Sequence, residues 1–95
     1  MQIVVSENIQ EKILREHNVT VTEVEEAMFL HGSKYIIDDR EKHKTHPPTV
    51  WFISESFEGR LLKIVIIPDI KREFAKLRTA YEPDEQEIQI YEETK

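Results

Sequence analysis

The chain contains no cysteine, which excludes disulfide bridges and thiolate metal centres and fits a reducing compartment. Its two glycines, Gly32 and Gly59, are too few for a glycine-rich phosphate loop or a nucleophile elbow. No apolar run approaches the roughly 20 residues that a membrane-spanning helix needs. The opening MQIVVSENIQ has no cationic region ahead of an apolar core, so it does not read as a signal peptide. These absences lead to the expectation of a soluble, cytoplasmic protein without membrane attachment. A length of 95 residues predicts one domain over 1–95, with one modest core and no cleft between domains.

What is present is charge, unevenly placed. The net charge is −6. From Glu82 onward there are six acids and one base, so this tail carries −5 of it. Between Arg60 and Arg78 six bases (Arg60, Lys63, Lys71, Arg72, Lys76 and Arg78) face only Asp69 and Glu73, a local +4. A sequence pI of 5.2 counts against non-specific nucleic-acid binding by the whole molecule, but it leaves room for a basic patch. Solvated strand edges and loop charges are the ordinary reading of each of these bases taken singly.

The pattern centres on Thr49–Tyr81. Thr49–Phe57 is rich in aromatic and β-branched residues, Leu61–Ile67 is almost wholly apolar, and Glu58-Gly59 between them predicts a two-residue hairpin loop. That loop sets a register in which Phe57 faces Arg60, Ile53 faces Ile64 and Trp51 faces Ile66. Apolar residues on both faces make Leu61–Ile67 a central strand. Glu73–Tyr81 reads as a third strand, with Ala75 and Leu77 on one face and Lys76 and Arg78 on the other.

Ahead of this ribbon, Gln2–Val5 reads as a short strand. Ser6 then caps a helix over Glu7–His17, with Ile9, Ile13 and Leu14 as its apolar stripe and Asn18 as a left-handed C-cap. Thr20-Val21-Thr22-Glu23 is a capping box, and Val19 and Val24 are placed for a hydrophobic staple. It starts a helix carrying Val21, Val24 and Met28, flanked by Phe29 and Leu30 and closed by Gly32. Ser33–Asp38 suggests a strand, and Asp39–Pro48 an exposed charged loop. Glu82-Pro83-Asp84-Glu85 starts a last helix with proline in its first turn, and Ile88 and Tyr91 form its buried edge. Helices grouped ahead of a meander give an α+β class, β-α-α-(β)-β-β-β-α, with two N-terminal helices on one face of a curved antiparallel sheet.

Several residues, in this order, resemble a known family. Glu16-His17-Asn18-Val19 before a capped helix with Glu25, Glu26 and Ala27 resembles the "KHGV…EEA" opening of BrnT-like toxins of type II toxin–antitoxin pairs. The likeness runs on through Asp38-Asp39, Gly59-Arg60-Leu61-Leu62, Ala80, Glu87 and Tyr91-Glu92, and so covers nearly the whole chain. It implies a RelE/ParE-like fold, metal-independent cleavage or binding of RNA, no cofactor, and a cognate antitoxin and RNA as partners, including a heteromer with the antitoxin. In the family the strand before the last helix ends in an "SAR"-like triplet whose arginine is implicated in RNA cleavage. Thr79-Ala80-Tyr81 takes that place here, and the last helix, usually basic, is acidic.

Metal-independent RNA cleavage needs cations to hold the scissile phosphate, and groups to exchange protons with the 2′-hydroxyl and the leaving oxygen. Arg60 and Arg78 are the candidate catalytic cations and His17 and Tyr81 the candidate proton carriers. Lys63, Lys71, Arg72 and Lys76 are candidate RNA-binding residues. Plainer roles stand beside these, with His17 capping the first helix and Tyr81 packing in the core. Arg78 and Tyr81, three apart, share a face only if a bulge or bend intervenes. His43 and His46 form a His-x-x-His in a loop, which is weak evidence for a metal site, and none is assigned. Two functional classes therefore fit: a toxin-type ribonuclease held by a partner, or a catalytically silent interaction module whose sheet edge or groove receives a partner's strand or helix.

Overall fold

The first helix begins because Ser6, in an extended conformation, accepts the Ile9 N–H, and ends because Asn18 turns left-handed at φ 53°. The structure is a computed structural model and describes residues 2–32, 34–38, 48–69 and 71–94. In chain order the elements are β1 (Gln2–Val4), α1 (Glu7–His17), α2 (Val21–Leu30), β2 (Ile36–Ile37), β3 (Val50–Glu55), β4 (Leu61–Asp69), β5 (Phe74–Tyr81) and α3 (Glu85–Glu93). Among the described residues, three helices and a five-stranded mixed sheet make this an α+β protein.

The strands lie in the order β1-β5-β4-β3-β2, with β4 central. The neighbours β2/β3, β3/β4 and β4/β5 are antiparallel, but β1 runs parallel to β5, pairing Ile3 with Ala75. The sheet is therefore not wholly antiparallel. The first strand enters at the edge beside the last, a long-range pairing that local sequence pattern does not encode.

The core lies between α1, α2 and one face of the sheet. Ile13 from α1 and Val24 and Ala27 from α2 meet Val50, Phe52, Leu62, Ile64, Ile66, Ala75, Leu77 and Ala80. Val19 is also fully buried, at the junction of the two helices. Leu14 is not part of the α1 stripe. It is half-exposed, because the inward row is Ile9, Ile13 and His17 at four-residue spacing and Leu14 sits one position round from it. Phe29 and Leu30 likewise face solvent, while Ala27 takes the inward place. Helix α2 stops at Leu30 with His31 as an extended cap, two residues before Gly32.

The hairpin between β3 and β4 corrects the expected register by one residue. Phe52 pairs with Ile64, Trp51 with Val65 and Ile53 with Lys63. Ser56 N–H donates to Arg60 C=O, and Gly59 N–H donates back to Ser56 C=O. Phe57, Glu58 and Gly59 thus form a three-residue loop, and Gly59 takes the left-handed position at φ 86°. That geometry belongs to a type I turn closed by a glycine bulge. A two-residue Glu-Gly loop would have needed positive φ at Glu58 as well.

A second irregularity matters more for the site. Val65 pairs with Thr79 but the next residue, Ile66, pairs with Leu77, so Arg78 is a bulged residue with no opposite number. Ala75, Leu77 and Ala80 can all face the core as a result. Strand β5 starts at Phe74, and Glu73 belongs to the preceding turn at φ 56°.

Helix α3 starts later than the sequence pattern suggests. Asp84 is its N-cap and forms a capping box with Glu87, so Pro83 precedes the helix. No residue of α3 is fully buried. The helix rests on the face of the sheet turned away from α1 and α2, where the Tyr91 ring lies 5.9 Å from Trp51. The Tyr91 hydroxyl donates to Lys34 C=O at 3.2 Å. Among the described residues of the segment expected as a strand over Ser33–Asp38, only Ile36–Ile37 is one. The expected loop over Asp39–Pro48, including His43 and His46, lies outside the described residues apart from Pro48.

Candidate functional site on the outer face of the sheet

Along β3, β4 and β5 the residues alternating with the core point to the outer face. Trp51, Lys63, Val65 and Tyr81 come together there by strand periodicity alone. Thr79, opposite Val65, shares that face, the bulge adds Arg78, and with Asp38 and Thr49 these residues line a recess of about 150 Å³. The condition for Arg78 and Tyr81 to share a face is thus met by the bulge.

Lys63 is the centre of this group. Its residue is 9% exposed. Its ammonium pairs with Glu87 of α3 and lies 4.5 Å from the Trp51 ring centroid and 5.5 Å from that of Tyr81. The Tyr81 hydroxyl donates to the same Glu87 carboxylate oxygen at 2.9 Å. Burial pushes the Glu87 carboxyl up, but Lys63, the Asp84 N–H and the Tyr81 hydroxyl outweigh it and hold the group below its usual value. Burial is also the largest influence on Lys63, where it favours the neutral form, yet Glu87 and Tyr81 prevail and raise its pKa. Burial likewise moves the Tyr81 phenol upward. Lysine is therefore held as the cation, glutamate as the anion and tyrosine as a hydroxyl donor.

His17 reaches the same group from the end of α1. Beyond Lys76, β1 no longer covers β5, and the His17 ring packs on Tyr81 at a centroid distance of 5.3 Å. Arg78 is exposed at the rim and makes no ion pair among the described residues.

Arg60 does not join them. Its Nε donates to Glu82 at 2.7 Å and its Nη1 to both Glu23 oxygens at 3.0–3.1 Å. The Asn18 carbonyl accepts from Nη1 at 2.8 Å and the His17 carbonyl from Nη2 at 3.3 Å. Arg60 thus ties the end of α1, the start of α2 and the exit of β5 to the hairpin. The paired Glu23 holds the guanidinium above its ordinary value. Glu23 is itself lowered: burial opposes this, but the Thr20 N–H and Arg60 prevail. Its guanidinium is thus occupied by two carboxylates and two main-chain carbonyls.

The remaining bases form a separate exposed strip. Lys76 lies on β5, and Lys71 and Arg72 in the turn before it. Arg72 sits 3.9 Å from Asp69, a loose, exposed pair of little energetic weight. Among the described residues no three His, Asp or Glu side chains are grouped as metal ligands would be.

Sequence reasoning missed Glu87 and Glu23 as partners of the site cations. Both stood in view as the last residue of a capping box, Thr20-x-x-Glu23 and Asp84-x-x-Glu87. A capping glutamate uses one oxygen on the backbone and has a second to spare, and here the surplus goes to Arg60 and Lys63.

Fold and site together define a small α+β protein whose partly covered sheet face carries an aromatic and cationic recess. No protein-family model matches the chain, and no curated protein matches it. No helix among the described residues is long and apolar enough to cross a membrane.

Proposed function

We propose that the chain is a cytoplasmic, toxin-type protein resembling the BrnT component of RelE/ParE-like toxin–antitoxin pairs, which engages RNA without a metal and is held by an antitoxin. The observation that carries this reading is the bulge at Arg78. It sets a guanidinium with no ion pair among the described residues beside Tyr81, Lys63 and Trp51, with Lys76, Lys71 and Arg72 continuing the positive strip. Arg78 and Lys76 hold phosphates, and Tyr81 with His17 supplies the proton-handling groups. Glu87 stands on Lys63 and Tyr81, so Lys63 reaches a phosphate only when α3 shifts. Helix α3 has no fully buried residue, and its shift must part the Lys63–Glu87 pair and the Tyr81–Glu87 hydrogen bond.

The test is binding and cleavage of single-stranded RNA by partner-free protein at low salt. Binding that weakens in the double variant Lys76→Ala, Arg78→Ala supports the reading. Absence of binding, cleavage and growth arrest on expression rejects it.

A second reading is favoured by a specific observation: Arg60 is fully engaged by Glu23 and Glu82, and Lys63 by Glu87. On this reading the domain is catalytically silent and its sheet edge or a groove receives a partner. Folded protein that neither binds nor cleaves RNA, and does not arrest growth, identifies it.

A further inference from the structure

Along Glu85–Glu93 only Glu87, Ile88 and Tyr91 are sheltered, and the other six residues of α3 are exposed. Glu87 and Tyr91 stand four apart, so they share one face of the helix with their Cβ atoms about 5–6 Å from each other. Glu87 divides its carboxylate. Oε1 accepts the Asp84 N–H inside the capping box of α3, while Oε2 accepts from the Lys63 ammonium and the Tyr81 hydroxyl. One turn on, the Tyr91 ring lies 5.9 Å from the Trp51 ring, tilted by 40°.

What α3 covers is a set of groups suited to a nucleotide. Trp51 is only 9% exposed although it belongs to the outer face. The Lys63 ammonium lies between the Trp51 and Tyr81 rings. An indole on a sheet face stacks any base, and an ammonium beside a hydroxyl holds a phosphate oxygen. Both positions are filled from α3, one by an anion and the other by a ring. The adjoining recess joins Trp51, Lys63 and Tyr81 to Arg78, where the exposed cations of β5 begin.

The helix is placed to leave as a unit. Arg60 holds Glu82 at 2.7 Å and so fixes the exit of β5, and only Pro83 and Asp84 separate that anchor from α3. The capping box lies within the departing segment, so it persists when Oε2 lets go of the sheet.

We propose that Trp51, Lys63 and Tyr81 form a subsite for one nucleotide of single-stranded RNA, filled in the resting protein by α3. Glu87 takes the place of the phosphate and Tyr91 that of the base. RNA and α3 then compete, and the helix is a self-inhibiting cover. The inference rests on the RNA reading of the outer face and adds to it the regulation of that site.

Trp51 is the single tryptophan of the chain, so its emission reports this subsite. The probe is a short oligouridylate, with inorganic pyrophosphate as an anion that carries no base. RNA is expected to quench Trp51, and the amides of α3 to lose hydrogen-exchange protection over the same concentrations. Glu87→Gln keeps a side chain suited to the capping box and removes the anion. Its quench midpoint is expected about tenfold below that of wild type. Tyr91→Leu keeps an apolar side chain and is expected to move the midpoint the same way, which serves as the test if Glu87→Gln does not fold. Pyrophosphate is expected to leave the emission unchanged.

RNA that binds wild type without quenching Trp51, or with α3 still protected at saturation, overturns the inference and leaves the RNA reading standing. So does RNA binding that neither variant tightens. Quenching by pyrophosphate equal to that by RNA overturns it as well, because no base is then read. Failure of wild type and both variants to bind RNA at low salt overturns the inference together with the reading beneath it.

Discussion

The Tyr81 hydroxyl donates to Glu87 at 2.9 Å, and through that carboxylate the end of β5 is joined to α3 and to Lys63. In this arrangement the phenol serves as a donor to an anion and not as an acid poised near neutrality. Tyr81→Phe deletes only that donor. The expected cost is about 1 kcal/mol of stability, measured in denaturant melts. If Tyr81 also moves a proton, the same variant loses RNA cleavage and retains binding. A variant with full cleavage assigns the ring to packing alone.

Arg60 makes a sharper stability prediction. Arg60→Met leaves Glu23 and two helix-end carbonyls without their donor in a half-buried setting. A loss of about 2–3 kcal/mol is expected from hydrogen bonds to charged groups. Arg60→Lys recovers little of it, since one ammonium cannot serve Glu23, Glu82, Asn18 and His17 in a planar fork. A melt within about 0.5 kcal/mol of wild type for Arg60→Met shows that the clamp is not structural and returns Arg60 to the list of functional cations.

How far the sequence spoke to these features depended on distance along the chain. Both ends of α1, the Thr20 capping box and the centrality of β4 are local or compositional, and they were legible. The β3–β4 register was off by one because Phe57, Glu58 and Gly59 close the loop together, and a lone Glu-Gly does not say which loop length it serves. Hydrophobicity alone puts Leu14 in the α1 stripe, whereas the helical spacing set by Ile9, Ile13 and His17 leaves it out. The parallel pairing of β1 with β5 and the bulge at Arg78 depend on contacts some 70 and 13 residues apart, which no periodicity reports. Among the site residues, His17, Lys63, Arg78 and Tyr81 come together and Arg60 does not, because Glu23 and Glu82 hold its guanidinium at the helix junction, partners that only the fold reveals.

His31 gives a pH prediction distinct from those of the carboxylates. Its ring stacks on Phe52 at 3.8 Å, and its buried Nε2 has no hydrogen-bond partner among the described residues. Burial lowers its pKa from the ordinary 6.5. The unfolded chain therefore binds the proton more readily, and stability falls as pH drops below about 6.5 toward the lower folded value. Glu23 and Glu87, also lowered in the fold, add their losses only below about 4.5. Melts between pH 7 and 5 should show a decline that His31→Phe removes. A flat profile in that window shows that the unfolded and folded histidines titrate alike.

The hairpin supplies a fourth test. No atom lies within 4 Å of a Cβ built on Gly59, so space does not forbid a side chain there. Its φ of 86° does. Gly59→Ala is expected to cost about 1–2 kcal/mol from left-handed strain alone. Ile64→Ala, at a fully buried place on the central strand, is expected to cost about 2–5 kcal/mol, and Thr20→Ala about 1 kcal/mol through its cap. A ranking that puts Ile64→Ala last shows that the inward face of β4 has been assigned to the wrong side.

Salt separates the positive strip from the paired cations. A phosphate contact releases counterions, so each lysine or arginine that makes one adds to the slope of log K against log salt, by about 0.7 for single strands. Lys76 and Arg78 are exposed and lack internal ion pairs among the described residues. Lys76→Ala with Arg78→Ala should reduce the slope by about 1.4 and weaken binding alike across RNA sequences. Lys63 begins with Glu87 as its counterion, so Lys63→Met should change the slope far less. Glu87→Gln frees Lys63 and should increase it. If Lys63→Met flattens the slope as much as either exposed base does, then α3 already stands aside in the RNA complex, and Lys63 belongs to the RNA surface.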